Sequence, residues 1–224
     1  MPALVPALLY RYDPSPMAKL GYAIGRRIEP RLPAWVTPNQ VTVIGCCGMA
    51  AAGLAFYLAG RNPIWFVVAE LAVIVHWLAD HLDGHLARTR GMTSDRGLFL
   101  DMYLDMVSVV CLLYGIASAS YANFQILVTY LIVVLLRGLV LAHWVHFRQR
   151  EVLPLFGLAD VPVMGGICSA LTWYHPGAVL TIGEFGLGWF DLAAIPLAGL
   201  LLCDVVAQFF ALVRALDPPT RGSG

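Results

Sequence analysis

The sequence is short of charge. Asp, Glu, Lys and Arg make up only 12% of its 224 residues, about half the share found in ordinary soluble domains. A water-exposed globular surface cannot be built from so little. The charges also balance, with 14 cations against 14 anions. The chain therefore lacks the excess of Lys and Arg that neutralises phosphates in nucleic-acid-binding proteins, and no nucleic-acid partner is expected. Cysteine is scarce too. Cys46, Cys47, Cys111, Cys168 and Cys203 each lie inside an apolar run, where they read as small hydrophobes rather than a disulfide framework. No internal repeat or low-complexity tract is visible. A cleavable leader is not indicated, because Pro6 interrupts the first apolar stretch and a basic, Pro-rich segment follows.

Apolar surface is what the chain does have. Hydrophobic residues make up 59% of it, and the mean hydropathy is +0.75. Crossing about 30 Å of hydrocarbon takes roughly 20 residues per helix. The runs predict an all-α, integral membrane bundle of six transmembrane helices: 37–58, 64–79, 98–118, 124–144, 161–181 and 189–213. Thr37-Pro38-Asn39-Gln40 opens the first span with a cap, a first-turn proline and capping-box spacing. Ahead of it, Met17, Leu20, Gly21, Ile24 and Ile28 recur at helical spacing, with Lys19 and Arg26 on the opposite side. This pattern predicts an N-terminal amphipathic helix lying in the membrane interface. The expected organisation is an interfacial segment over 1–36, one membrane domain over 37–216 and a tail over 217–224.

Cations are confined to alternate connections. Arg11, Lys19, Arg26, Arg27 and Arg31 precede the first span, while Arg88, Arg90 and Arg96 lie between the second and third. Arg148 and Arg150 lie between the fourth and fifth, and Arg214 and Arg221 follow the sixth. The opposite connections carry only Arg61. The positive-inside rule then places both termini and the 80–105 region in the cytoplasm, and an inner membrane of a prokaryote is the expected location.

Four acids, Asp80, Asp83, Asp101 and Asp105, fall at the adjoining ends of two apolar helices. At a rise of about 1.5 Å per residue, Asp80 lies roughly 24 Å along the second span, and Asp101 and Asp105 lie within about 10 Å of the start of the third. In an antiparallel hairpin these heights coincide. Asp80, Asp83, Gly84 and Ala87 share one helical face, and Gly97, Asp101 and Asp105 share another. Four anions brought together in partly desolvated surroundings must protonate or find cations. Hard carboxylate oxygens without thiolates suit Mg²⁺ or Mn²⁺, and such ions commonly complete their shell with substrate phosphate. Gly84 and Ala87 leave room on the same face, and Arg88 sets a guanidinium beside it.

These residues carry a family resemblance. Asp80-x-x-Asp83-Gly84-x-x-Ala87-Arg88, eight residues, then Gly97-x-x-x-Asp101-x-x-x-Asp105 resembles the complete signature of the CDP-alcohol phosphotransferases. Thr37-Pro38-Asn39-x-x-Thr42 is similar to the opening of that family's first span. The resemblance implies transfer of a substituted phosphoryl group from a CDP-alcohol to a second alcohol, with release of CMP. It implies that Asp80, Asp83 and Asp101 hold two Mg²⁺ or Mn²⁺ ions, with Asp105 beside them as general base. Asn39, Thr42, Asp83, Gly84, Ala87, Arg88 and Gly97 would line the nucleotide pocket, and the enzyme would be a homodimer. The favoured donor is CDP-diacylglycerol, with glycerol phosphate, inositol phosphate or serine as acceptor. The alternative is a CDP-choline or CDP-ethanolamine enzyme acting on diacylglycerol, to which Tyr10-Arg11-Tyr12 and Trp35-Val36-Thr37 bear some likeness. A cation-coupled carrier would instead place its acids near the midplane of an inverted repeat, and neither pattern is present.

Other polar residues carry open alternatives. Arg137, inside the fourth span, either binds an acceptor phosphate or pairs with Asp204. Arg148 and Arg150 either assist the acceptor site or only set topology. His76 either hydrogen-bonds Asp80 or packs, and His81 and His85 are read as a packed pair rather than metal ligands. Glu70 and Asp204 are expected to be paired within the bundle. Gly45, Gly48 and Gly53 predict close helix packing, within the chain or along a dimer seam.

Overall fold

The computed structural model describes residues 16–148, 161–183 and 185–216, apart from the Arg148 side chain. Its helices are α1 (Pro16–Ile28), α2 (Pro38–Ala59), α3 (Ile64–Thr89), α4 (Asp95–Ala117), α5 (Phe124–Arg148), α6 (Val161–Tyr174) and α7 (Trp189–Leu216). Two strands, β1 (Leu180–Ile182) and β2 (Phe185–Leu187), intervene before α7. Among the described residues, five helices are long and apolar enough to cross a membrane: α2, α3, α4, α5 and α7. The protein is an integral membrane protein.

Local chemistry accounts for the helix starts. The Gln40 amide donates to Thr37 Oγ1 and the Thr37 amide to Gln40 Oε1 at 2.8 Å, which completes the capping box that opens α2. Ser94 caps α4 through the Gly97 amide at 3.0 Å. Asp191, fully buried, accepts from the Gly188 and Asn123 amides at 2.8 Å each, so one carboxylate caps α7 and ties it to the loop before α5. Around it, Phe56, Phe66, Tyr121 and Phe190 form an aromatic cluster, and the Tyr121 hydroxyl donates to the Phe56 carbonyl at 2.8 Å.

The glycines of α2 serve contacts within the chain. A Cβ on Gly45 would stand 3.0 Å from the Ala79 Cβ, and one on Gly48 would stand 3.2 Å from the Ala72 carbonyl oxygen, both on α3. A Cβ on Gly53 would run into the Cys111 carbonyl of α4, and one on Gly115 into the backbone of Gly53. Backbones that approach this closely gain dispersion contacts that lipid cannot supply. Glu70 is held similarly: Ser169 Oγ donates to its Oε1 at 2.7 Å, which joins α3 to α6.

Two expectations are corrected. The fifth span, predicted over 161–181, is helical only to Tyr174, because His175-Pro176-Gly177 stops the helix. The chain then turns into an antiparallel hairpin, so the fold is helical with one small sheet rather than purely α. Over its 14 described residues, α6 covers about 21 Å, and among the described residues five helices have spanning length and composition where six spans were expected. The amphipathic segment forms α1, which is seated on α3. Ala18, Gly21 and Gly25 pack against α3, with Gly21 on the His81 ring, while Leu20 of the predicted apolar stripe is 49% exposed. Arg11, Arg150 and Arg221 lie outside the described residues, as does the Arg148 side chain.

Asp191→Ala would leave one buried and one half-buried amide without this acceptor. We expect a stability loss of about 2 kcal/mol or more, read as a lower unfolding temperature of the detergent-solubilised protein. Asp191→Asn, which keeps one acceptor, should fall between. An unchanged unfolding temperature in Asp191→Ala would contradict the capping role.

Candidate active site

The site is built where α3 ends and α4 begins. The turn between them uses Gly91 at φ +64°, a left-handed conformation that suits a residue without Cβ. Arg90, read from the sequence only as a topology-setting cation, is the staple of this end. Its guanidinium donates to Leu32 and Val36 carbonyls at 3.0 Å and to the Pro33 carbonyl at 3.1 Å, and it pairs with Glu29 at 3.3 Å. Four contacts therefore hold the segment before α2 against the end of α3. That fixes the start of α2 beside α4, where a Cβ on Gly97 would stand 3.5 Å from Asn39 Oδ1.

Carboxylate oxygens of Asp80, Asp101 and Asp105 all lie within 4.8 Å of one another. At that separation each fully charged pair repels by roughly 3 kcal/mol, taking an effective dielectric of about 20. A divalent cation relieves this. The donor set also fits one, since three carboxylates with no sulfur or imidazole suit a hard ion such as Mg²⁺ or Mn²⁺. Asp83 is not part of the triad. It is buried, and Thr42 Oγ1 donates to its Oδ2 at 2.6 Å across the α2–α3 contact. Thr42 thus orients a carboxylate, a role its position in the helix pattern did not reveal.

Of the two histidines read as a packed pair, His81 has its Nδ1 3.7 Å from Asp80 Oδ2. His81 is buried with its ring against Tyr22 and Trp77, and its Nδ1 stands 2.8 Å from the Trp77 carbonyl. His76 packs against Gly45 and borders the same cleft as Asp80. Arg137 is buried, and its Nε donates to Asp204 Oδ2 at 2.6 Å. This pair joins α5 to α7, and both residues line the cleft.

That cleft has a volume of about 1470 Å³, larger than the common range of roughly 300–1,000 Å³ for small-molecule sites. Its polar end gathers Asn39, Thr42, Asp80, Asp83, Gly84, Ala87, Arg88, Gly97, Asp101 and Asp105, and Arg137 stands along its side. Every candidate catalytic, metal, nucleotide or acceptor residue read from the sequence lines it except Arg148 and Arg150, of which the Arg148 side chain and all of Arg150 are outside the described residues. The far end is lined by apolar side chains, among them Met49, Phe56, Leu112, Ile116 and Leu127. An amphiphile with an anionic head and a long apolar body matches this division.

Thr42→Val removes the hydroxyl that Asp83 accepts from. We expect a cost of about 1–3 kcal/mol, seen as a fall of several degrees in unfolding temperature, with Thr42→Ser close to the parent. Equal stability of the valine and serine variants would refute the link.

Comparison with known proteins places this geometry. A sequence model of the CDP-alcohol phosphatidyltransferase family matches residues 35–206. Archaetidylinositol phosphate synthase of Pyrococcus horikoshii is 35% identical over 91 residues, which cover 41% of this chain and 46% of that protein. Phosphatidylinositol phosphate synthase of Streptomyces avermitilis is 35% identical over 82 residues, covering 37% of this chain and 32% of that protein. The matched stretch thus spans less than half the length of either curated relative. The fold is shared with crystal structures of Mycobacterium tuberculosis phosphatidylinositol phosphate synthase. One, with CDP-DAG bound, has a TM-score of 0.65 at 16% identity and covers 89% of this chain and 98% of that one. Another, in complex with manganese and citrate, has a TM-score of 0.64 at 18% identity, covering 88% and 92%. The family match runs through all the residues at the polar end of the cleft, and the chain belongs to the CDP-alcohol phosphatidyltransferase family.

Proposed function

We propose that the protein transfers a phosphatidyl group from CDP-diacylglycerol to the hydroxyl of a small polar alcohol and releases CMP. The observation that carries this reading is the shape of the cleft: three clustered carboxylates at one end and an apolar trough along the rest. A nucleotide head and two acyl chains need those environments side by side. A phosphorylated polyol is the acceptor class we favour. The two curated relatives are named inositol phosphate lipid synthases, and Arg137 lies buried at the side of the cleft, where an acceptor phosphate can compete for Asp204's partner.

In this reading Asn39, Gly84, Ala87, Arg88 and Gly97 line the space for the cytidine diphosphate. Gly84 and Ala87 keep it open, and Arg88 offers charge to the phosphates. Asp80, Asp101 and Asp105 would hold one divalent ion, and Asp83 with Asp80 and Asp101 would complete a pair. Bound there, Mg²⁺ or Mn²⁺ supplies charge neutralisation and polarises the donor phosphate oxygens. Asp105 accepts the proton from the acceptor hydroxyl as its oxygen bonds to phosphorus, and the phosphorus–oxygen bond to CMP breaks. Arg148 is the second cation we assign to the acceptor phosphate.

We further propose that the aspartate end faces the cytoplasm of a prokaryote. Lys19, Arg26, Arg27, Arg31, Arg90, Arg96 and Arg214 lie toward that end of the described helices, against Arg61 at the other. The exposed Lys19, Arg26 and Arg27 of α1 suit anionic headgroups in the interface. A homodimer is the proposed assembly.

The test is CMP release by the purified protein in vesicles containing CDP-diacylglycerol, Mg²⁺ or Mn²⁺ and candidate acceptors. CDP-choline and CDP-ethanolamine with diacylglycerol form the comparison arm. Asp105→Asn should lower turnover at least a thousandfold while donor binding stays within a few-fold of the parent. Near-parental turnover would remove Asp105 as base, and no CMP from any donor would sink the proposal. Independently, Mn²⁺ titration followed by electron paramagnetic resonance should show binding that weakens at least tenfold in Asp101→Asn. Unchanged binding would disprove the metal assignment.

A further inference from the structure

The end of the bundle opposite the aspartates carries a feature that the proposed transfer does not use. Between α6 and α7 the chain forms the hairpin β1–β2, with pairs Leu180↔Leu187, Thr181↔Gly186 and Ile182↔Phe185. Cross-strand partners share a face, and successive residues alternate between faces. Leu180, Ile182, Phe185 and Leu187 therefore form one wholly apolar face, and Thr181 and Gly186 form the other. Gly183, at φ +61°, makes the turn, and the Val179 amide extends the pairing to the Leu187 carbonyl at 2.8 Å.

Only the base of the apolar face is covered. Leu187 is 4% exposed, whereas Leu180, Ile182 and Phe185 are 47%, 59% and 59% exposed. None of those three belongs to either hydrophobic cluster of the described bundle. A small, free-standing hairpin gains little from leaving such side chains in water.

We propose that this face is a lipid-contacting surface, seated in the interface of the leaflet opposite the aspartates. Position is the first reason. The Ser169–Glu70 bond sets α6 beside α3 near the Ile64 end of α3, so the hairpin emerges at the membrane boundary. Aromatic residues of the kind that mark headgroup level stand at the same end, with Trp173 41% and Tyr174 79% exposed at the close of α6. The charge pattern agrees, since Glu184 is the one Asp, Glu, Lys or Arg in the sequence between Tyr174 and Asp191. Backbone polarity limits the depth: the inner edges of the strands pair with each other, but the outer edges still need water or headgroups. The interface, rather than the hydrocarbon centre, satisfies both demands. A second copy of the chain fits less well, because three half-exposed side chains offer only a fraction of the roughly 800 Å² per partner that a stable interface buries.

The test uses the unaltered full chain in phosphatidylethanolamine–phosphatidylglycerol vesicles doped with a diazirine-bearing phospholipid. After irradiation, mass spectrometry maps the labelled residues. Label is expected on Leu180, Ile182 and Phe185 at a level within about threefold of Leu200 and Phe209 on α7, which are 52% and 51% exposed, and at least fivefold above Thr181. Absence of label over 180–187 while α7 is labelled would overturn the proposal, whether water or another protein chain covers the face. Equal labelling of Thr181 and Ile182 would overturn its two-sided character.

Discussion

The repulsion among Asp80, Asp101 and Asp105 is the constraint on which this molecule is organised. Three carboxylates within 4.8 Å at the end of apolar helices are unfavourable unless something positive stands between them. Left to itself, the hairpin of α3 and α4 would relax by splaying. The neighbouring structure opposes that. Gly45, Gly48 and Gly53 bring α2 against both helices, Thr42 reaches across to Asp83, and Arg90 stitches the preceding segment onto the end of α3. Each is a short-range contact whose effect is to keep negative oxygens together. The carboxylates of the proposed cation site are thereby gathered before any cation arrives, and the cost of gathering them is met by packing.

The same helices arrange the surroundings of the charge. Small side chains on one face of α3 leave the cleft open beside the acids, and apolar residues of α2, α4 and α5 continue it into the bundle. Polar chemistry and lipid are thus accommodated along one continuous surface. For the proposed transfer this removes the need to pull the lipid fully into water or the nucleotide into hydrocarbon. Arg137 and Asp204 set a second polar contact on the side of that cleft, where the price of burying each charge is reduced by the other.

Much of this was legible in the order of residues. Carboxylates at 80, 83, 101 and 105 with small residues at 84, 87 and 97 predict one cleft, because helical periodicity puts each set on one face and a short turn brings the faces together. Thr37 and Gln40 announced the start of α2 equally well, since a capping box acts within four residues. Contacts between distant segments were not legible. The staple made by Arg90, the partnership of Thr42 with Asp83 and the two-amide cap made by Asp191 join residues far apart in the chain. The seat of α1 was not legible for a related reason: α3 offers the His81 ring, and only glycine fits against it at position 21.

What the chain determined alone was the class of molecule and its chemistry. Hydropathy demands a membrane, and fixed spacing puts acids and small residues on shared faces that suit the proposed cation and anionic ligand, since both follow from the regular geometry of single helices. Tertiary structure decided which three of the four aspartates share a cluster, where Asp83 points, and that α6 stops short and gives way to a hairpin with one apolar face. Those outcomes depend on side chains meeting across elements and on the Pro176-Gly177 break, where local periodicity carries no information about what lies opposite.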